Sequence, residues 1–328
     1  MTKRVAVTGG SGFIGAYLVR HLVESGWKVC VLDNLMRGDD SRLASVIDDV
    51  QLHQVDVRDE QAVTRAIKGH DVVMHLAAIN GTENFYKHPE LVLDVGIRGA
   101  LAVVNACRSA GVPDLVLASS AEVYQTPARI PTPEDIELML PDSLNPRYSY
   151  GGSKIISELI AFNYAREHFR KVQVFRPHNV YGPDMGTKHV IPQFIIRAAG
   201  LQQQGLTGGP FPIQGSGKQT RGFCYVDDAV RGILRMYEYG QNREIYHIGN
   251  DDEVSMAQVV DQIGHTMGLS LEVEPSAPAE GGTPRRCPDI TKMRMLGYEP
   301  VVELAAGIEQ TVKWYQENLH RLSQQGLL

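Results

Sequence analysis

The sequence predicts an α/β fold: a doubly wound parallel sheet with a smaller, interleaved mixed α/β domain. Three observations lead there. A short β-branched run, Arg4-Val5-Ala6-Val7-Thr8, ends in the glycine loop Gly9-Gly10-Ser11-Gly12-Phe13-Ile14-Gly15, and helical apolar spacing follows over Ala16 to Ser25. Strands and helices then alternate through the first half, the pattern of parallel strands joined by crossover helices. The strands are near-continuous apolar runs without alternation, as expected when helices cover both faces of a sheet.

Trp27 to Asp33 reads as the second strand and completes a βαβ unit. Gln51 to Val55 is a third strand, and Gln61 to Lys68 a helix. Asp71 to Leu76 is a fourth strand, Pro89 to Ala110 one long helix, and Asp114 to Ser119 a fifth strand. Pro127, Pro131, Pro133, Pro141 and Pro146 crowd a long surface loop, and loops of this length are more often functional than not. A helix over Tyr150 to Phe169 and a strand over Lys171 to Arg176 follow. After Asn179 the pattern changes, with frequent glycine and proline between Gly200 and Gly217. Cys224 to Asp228 leads into an apolar helix through Tyr237, Glu244 to Ile248 is another strand, and Leu304 to Leu322 is a polar-faced helix. The expected division is a sheet domain of residues 1–178 plus 221–250 and a smaller domain of residues 179–220 plus 251–328.

Composition narrows the function. The chain has 328 residues, 43% apolar and 21% charged, as in soluble globular proteins of one large or two moderate domains. A net charge of -6 and a pI of about 6.0 exclude a general nucleic-acid binder, which needs a basic face. Cys30, Cys107, Cys224 and Cys287 are far apart, so neither a disulfide framework nor a metal site is implied, and a reducing cytoplasm is expected. No apolar run approaches the ~18 residues of a membrane span. The N-terminus enters a strand directly, so no signal peptide is expected.

The glycine loop lies between a strand and a helix, where its context gives it chemical meaning. Gly9, Gly12 and Gly15 permit a tight turn, close backbone approach to a pyrophosphate, and close packing of helix on strand. The helix start adds free N–H groups and a positive dipole end. Asp33 ends the second strand, where a carboxylate accepts hydrogen bonds from ribose hydroxyls and repels a 2'-phosphate. NAD is therefore expected over NADP, with Arg37 nearby as the opposing feature. Asp56 either meets the adenine or caps the helix after it.

Tyr150 and Lys154 share one face of a helix, four residues apart. An ammonium beside a phenol favours the phenolate and lowers the tyrosine pKa. Such a tyrosine exchanges protons with a substrate hydroxyl near neutral pH.

Eight segments in order carry a resemblance. They are Thr8 to Gly15, Asp33-Asn34-Leu35, His75-Leu76-Ala77-Ala78, Ser119 to Tyr124, Tyr150-x-x-x-Lys154, Arg176 to Pro183, Arg221 to Asp228, and Arg286 to Ile290. The chain resembles the extended short-chain dehydrogenase/reductase superfamily, specifically its nucleotide-sugar epimerases and dehydratases. The resemblance implies a Rossmann domain holding NAD and a second domain holding a nucleotide-diphosphate sugar. Tyr150 would be the acid/base at the sugar C4 hydroxyl, and Lys154 would hold the nicotinamide ribose. Ser120 would share a hydrogen bond with the sugar oxygen. Phe13, Ile14, Asn34, Val57, Leu76, Ala77, Ala78 and Pro177 would line the cofactor. Asn179, Arg221 and one of Arg285 or Arg286 would hold the diphosphate, which guanidinium grips in a bidentate way. His178 would line the sugar, whereas Cys287 and His75 are structural. A homodimer is implied through the helices Pro89 to Ala110 and Tyr150 to Phe169, with Val92, Val95, Ile155, Ile156, Leu159 and Phe162 as available apolar surface.

The resemblance leaves the outcome after a 4-keto sugar to a few residues. Dehydratases carry Asp then Glu after the serine, whereas this chain has Ala121 and Glu122, which disfavours a 4,6-dehydratase. Glu122, Arg147 and the Arg286-x-Pro288-Asp289-Ile290 segment resemble the decarboxylases that make UDP-xylose. Glu122 is either catalytic or a loop carboxylate held by backbone N–H groups. Gly96 stands where many relatives have an asparagine near the cofactor. The expected activity is an NAD-dependent nucleotide-sugar 4-epimerase, with a decarboxylase as the alternative. A non-enzymatic NAD-binding regulator is disfavoured because Ser120, Tyr150 and Lys154 are all present.

Overall fold

The computed structural model describes residues 2–277, 283–324 and 326. Its centre is a seven-stranded sheet of β1 (Arg4–Thr8), β2 (Lys28–Asp33), β3 (Val50–Gln54), β4 (Val72–His75), β5 (Asp114–Ala118), β6 (Lys171–Pro177) and β7 (Glu244–Ile248). The order is β7-β6-β5-β4-β1-β2-β3 and every pairing is parallel. This is the doubly wound sheet the apolar strands predict. Strand order reverses between β1 and β4, where Thr8 lies opposite His75, and a ligand crevice belongs at such a reversal, beyond the strand C-termini.

The helices are α1 (Phe13–Glu24), α2 (Glu60–Ile67), α3 (Thr82–Lys87), α4 (Pro89–Leu93), α5 (Ala100–Ala110), α6 (Ser149–Tyr164), α7 (Val190–Gln203), α8 (Val226–Tyr239), α9 (Met256–Met267), α10 (Thr291–Arg294) and α11 (Leu304–Gln324). α1 and α8 bury Leu18, Val19, Ile233 and Met236 on one face of the sheet. α2, α4, α5 and α6 bury Val63, Val92, Val103 and Ile160 on the other. Each such side chain is worth about 1.5–3 kcal/mol, more than any propensity difference among ordinary helix residues. A third core joins α7, α9 and α11 through Phe194, Ile263 and Tyr315. Around it lie three small sheets: Gly208–Gln214 beside Ser270–Ser276, Thr220–Gly222 between Glu253–Ser255 and Arg285–Arg286, and Val180–Tyr181 beside Cys224–Tyr225.

Three expectations need correction. The helix expected over Pro89 to Ala110 is interrupted: residues Asp94–Gly99 form a wide π-turn between α4 and α5. It contains Gly96 and Gly99, and Gly96 packs so tightly on α6 that a Cβ there would lie 2.6 Å from Ser153 Oγ. The helix expected to reach Phe169 stops at Tyr164. Val92 and Val95 face the core and offer no outer surface, while Ile156 and Leu159 are exposed. Among the described residues no helix is long and apolar enough to cross a membrane, and no cluster of acidic, histidine or cysteine side chains is placed to hold a metal ion.

Candidate functional site

The glycine loop follows β1 and is built by contacts that no side chain could share. Gly9 has φ +71°, and a Cβ on it would lie 2.8 Å from the backbone nitrogen of Ala77. A Cβ on Gly15 would run into the carbonyl oxygen of Gly9. Gly12 is the N-cap of α1 and has no side chain to satisfy the first-turn N–H groups, so these remain for an anion. Phe13 and Ile14 open the helix. Leu76 and Ala77, just beyond β4, bond to Thr8 at 3.1 and 3.3 Å, and Ala78 follows them. His75 is buried beside the Thr8 hydroxyl at 2.7 Å; burial, and then the Lys154 charge, depress its pKa to about 3, so it stays a neutral core residue.

Asp33 ends β2 and is buried, accepting the N–H groups of Ser11 at 3.1 Å and Leu35 at 2.9 Å. Burial nevertheless raises its pKa. Asp56 is held by Arg58 at 2.6 Å and by Asn34 at 3.4 Å, and the Arg58 hydrogen bond leads in lowering its pKa to about 2. It does not cap α2; Asp59 does, accepting the N–H of Ala62 at 2.9 Å. Val57 is buried against Gly99. A cradle that any Cβ would fill, an uncapped helix start and a buried carboxylate at the second strand together fit a dinucleotide.

Tyr150 lies in the first turn of α6 with Lys154 one turn on, and both are buried. The Ser120 hydroxyl, just beyond β5, accepts the N–H of Glu122 at 3.1 Å and lies on the Tyr150 side, where it favours the phenolate. The expected depression of the tyrosine pKa does not appear in the protein alone. Burial pushes Tyr150 up to about 12, against the Ser120 hydroxyl. Burial also brings Lys154 down to about 8, against the Glu158 charge. Lys154 Nζ donates to the Ala118 carbonyl at 2.8 Å and lies 5.7 Å from the centre of the Tyr150 ring. Desolvation therefore outweighs the pairing that helical spacing suggests.

On the other side of Ser120 stands a cluster of charge. Glu122 pairs with Arg286 at 2.6 Å. Burial opposes its ionisation, but Arg286, then Arg147 and Arg221, outweigh it and hold the carboxyl below its ordinary pKa. Glu122 is thus an arginine-held carboxylate and not one held by backbone N–H groups. The structure separates the neighbouring arginines: Arg286 joins Glu122, and Arg285 pairs with Glu253 at 2.7 Å. Arg221 donates to the carbonyls of Thr220 and Thr283 at 2.7 and 2.6 Å, and burial lowers its pKa to about 10, helped by the like charge of Arg286. Arg147 Nε is buried with no hydrogen-bond partner among the described residues. Pro177 ends β6, His178 is buried with neither ring nitrogen bonded to any of the described residues, and the Asn179 amide donates to the Gly222 carbonyl at 3.1 Å.

Two residues that no motif flagged complete the surroundings. Gln125 donates its amide to the Glu122 carbonyl at 2.5 Å, and those two groups leave no space for a Cβ on Gly151. The Gly151-Gly152 pair after Tyr150 lowers helix propensity by about 1 kcal/mol per residue relative to alanine, and at Gly151 close packing demands it. Phe85 in α3 stacks on the Tyr150 ring, with centroids 5.0 Å apart and planes 12° from parallel. An aromatic in a polar stretch was its signal, and nothing in the spacing pointed to the tyrosine.

Residues 5–249 match the family model for the NAD-dependent epimerase/dehydratase family. The chain is 32% identical to the UDP-N-acetyl-alpha-D-glucosaminuronate decarboxylase of Bacillus cytotoxicus, over 97% of this chain and 99% of that one. Its fold is similar to the UDP-glucose 4-epimerase of Thermotoga maritima, solved with UDP-glucose, at TM-score 0.85 and 29% identity over 96% of this chain and 99% of that one. It is equally similar to the dTDP-glucose 4,6-dehydratase of Streptomyces venezuelae, solved with NAD, at TM-score 0.85 and 30% identity over 97% and 98% of the two chains.

Proposed function

The chain belongs to the NAD-dependent epimerase/dehydratase family, and on that premise we propose that it is a nucleotide-sugar 4-epimerase working through a transient 4-keto sugar. The observation that carries the reading is the buried Ser120–Tyr150–Lys154 arrangement beside the glycine cradle. NAD, held by Gly9, Gly12, Phe13, Ile14, Gly15, Asp33, Asn34, Asp56, Val57, Leu76 to Ala78 and Pro177, would accept and return hydride and add a positive ring charge that favours the Tyr150 phenolate. Tyr150 Oη takes the C4 hydroxyl proton as the C4–H bond breaks, and it returns a proton when the ketone is reduced on its other face. Ser120 holds the same sugar oxygen. Lys154 supplies the nearest side-chain cation on the helix and holds the nicotinamide ribose.

The sugar nucleotide enters from the side of residues 179–220 plus 251–328, with Asn179, Arg221 and Arg286 toward the diphosphate and His178 toward the sugar. Arg147, Arg221 and Arg286 against Glu122 leave two positive charges, matching a diphosphate bridge and favouring an uncharged sugar. Without an acid at Ala121, elimination of water lacks its proton donor. A second reading, decarboxylation of a sugar uronate, is favoured by Arg147 Nε, which has no partner among the described residues and which a substrate carboxylate would satisfy. We further propose a homodimer through the exposed face of α6.

Mass spectrometry of purified protein incubated with UDP-, GDP-, ADP-, CDP- and dTDP-sugars decides among these outcomes. Unchanged mass with a changed sugar is the expected result. Loss of about 44 daltons establishes the decarboxylase instead, since the same C4 oxidation precedes it. Tyr150→Phe is expected to slow turnover about 10²–10⁴-fold, the usual contribution of a positioned acid/base. Full activity in that variant sinks both readings.

A further inference from the structure

We propose that Phe85 is a positioning residue that fixes the plane of the Tyr150 ring and shields its hydroxyl from water; this rests on the reading of Tyr150 as the proton-handling group. α3 is six residues long, too short to persist unaided. Its one buried side chain is Phe85, and that side chain is laid on the Tyr150 ring. A 5.0 Å separation and a 12° angle describe an offset stack.

The support of α3 comes from outside it. Asn84 Nδ2 donates to the Asn80 carbonyl at 2.9 Å, and Arg37 donates to that same carbonyl from the loop after β2. Lys188, ahead of α7, pairs with Glu83. Two separate segments, the loop after β2 through Arg37 and the stretch ahead of α7 through Lys188, therefore brace this turn-and-a-half of helix beside the catalytic ring. Phe85 belongs to the core cluster on this sheet face, alongside Val92 of α4 and Ile160 and Ala161 of α6, and within it the Phe85 ring is laid on that of Tyr150.

The stack has two physical consequences. It restricts the tyrosine ring, whose hydroxyl must meet the reacting oxygen within a few tenths of an ångström. It also sets the negative face of one aromatic against another and excludes water, both of which favour phenol over phenolate. The direction agrees with the raised pKa of Tyr150, for which burial is the leading cause.

The test uses the NAD-loaded full chain with Phe85→Leu, which keeps apolar volume and loses the ring, and Phe85→Tyr, which keeps the ring. Tyr150 ionisation is followed by NMR of protein carrying carbon-13 at the tyrosine ζ position, with Tyr150→Phe assigning the resonance. Phe85→Leu is expected to lower kcat about tenfold with KM within about twofold, as a loosened catalytic group does. It is also expected to make Tyr150 about three- to tenfold more acidic, moving the acid limb of the kcat profile to lower pH. Phe85→Tyr is expected to retain wild-type kcat and Tyr150 acidity. Wild-type kcat and Tyr150 acidity in Phe85→Leu overturn the proposal, even if thermal stability falls. The NMR titration needs no substrate. A shifted Tyr150 in a protein that turns over no nucleotide sugar would therefore sustain the stack and overturn the proposed activity.

Discussion

Burial, and not helical proximity, governs the two most chemical residues of the chain. Lys154 has a folded pKa of about 8 against 10.5 when unperturbed. Between those values the unfolded chain binds more protons than the folded one, so stability rises with pH across that window. The buried ammonium thus costs about 3 kcal/mol below pH 8, and the cost fades toward pH 10.5. Urea denaturation at several pH values should show the stability of Lys154→Met relative to wild type declining by about that amount from pH 7 to 10.5. A pH-independent difference would contradict it. Tyr150 shifts the other way, to about 12, and its stabilisation is lost as pH rises above 10, equally in both proteins. The pairing of Glu122 with Arg286 lies 164 positions apart in sequence, so spacing could not have chosen Arg286 over Arg285.

At the scale of elements, the periodicity of the first half locates strands well because burial on both faces leaves few alternatives. It fails where a helix must bend around a neighbour. Gly96 and Gly99 lie in the π-turn between α4 and α5, and Gly96 meets Ser153 on α6. A side chain at 96 needs space that Ser153 occupies. Gly96→Asn is expected to cost about 1–3 kcal/mol, as overpacking does. Adding Ser153→Gly should recover at least about 0.5 kcal/mol beyond additivity, as for residues in contact. Chemical denaturation of the two single variants and the double variant measures this, and simple additivity would show that the contact carries no energy. The loops between α7 and α10 were hardly legible, because Gly208–Gln214 and Ser270–Ser276 pair with each other across a large sequence separation.

At the scale of the whole molecule, the apolar surface left after folding is more selective than the sequence suggests. Val92 and Val95 are taken up by the core, whereas Leu159 is 58% and Ile156 39% exposed on α6. A homodimer through that face should be visible in sedimentation at micromolar protein. Ile156→Glu with Leu159→Glu should yield monomer while changing thermal stability of the protomer little, since exposed substitutions usually stay within about 0.5 kcal/mol. A wild-type monomer, or an unaltered dimer in the double variant, would remove this assignment.

The doubly wound sheet, the glycine cradle and the candidate proton handler are legible in the order of residues alone. Those features depend on local spacing: consecutive apolar residues, glycines at a strand-to-helix turn, and two side chains one helical turn apart. Tertiary structure decided the rest. It chose Arg286 for Glu122, left Arg147 Nε without a partner among the described residues, placed Phe85 on Tyr150, and reversed the expected direction of the tyrosine pKa. The reason is that desolvation and cross-chain contacts depend on what packs around a group, and residues far apart in sequence supply that packing.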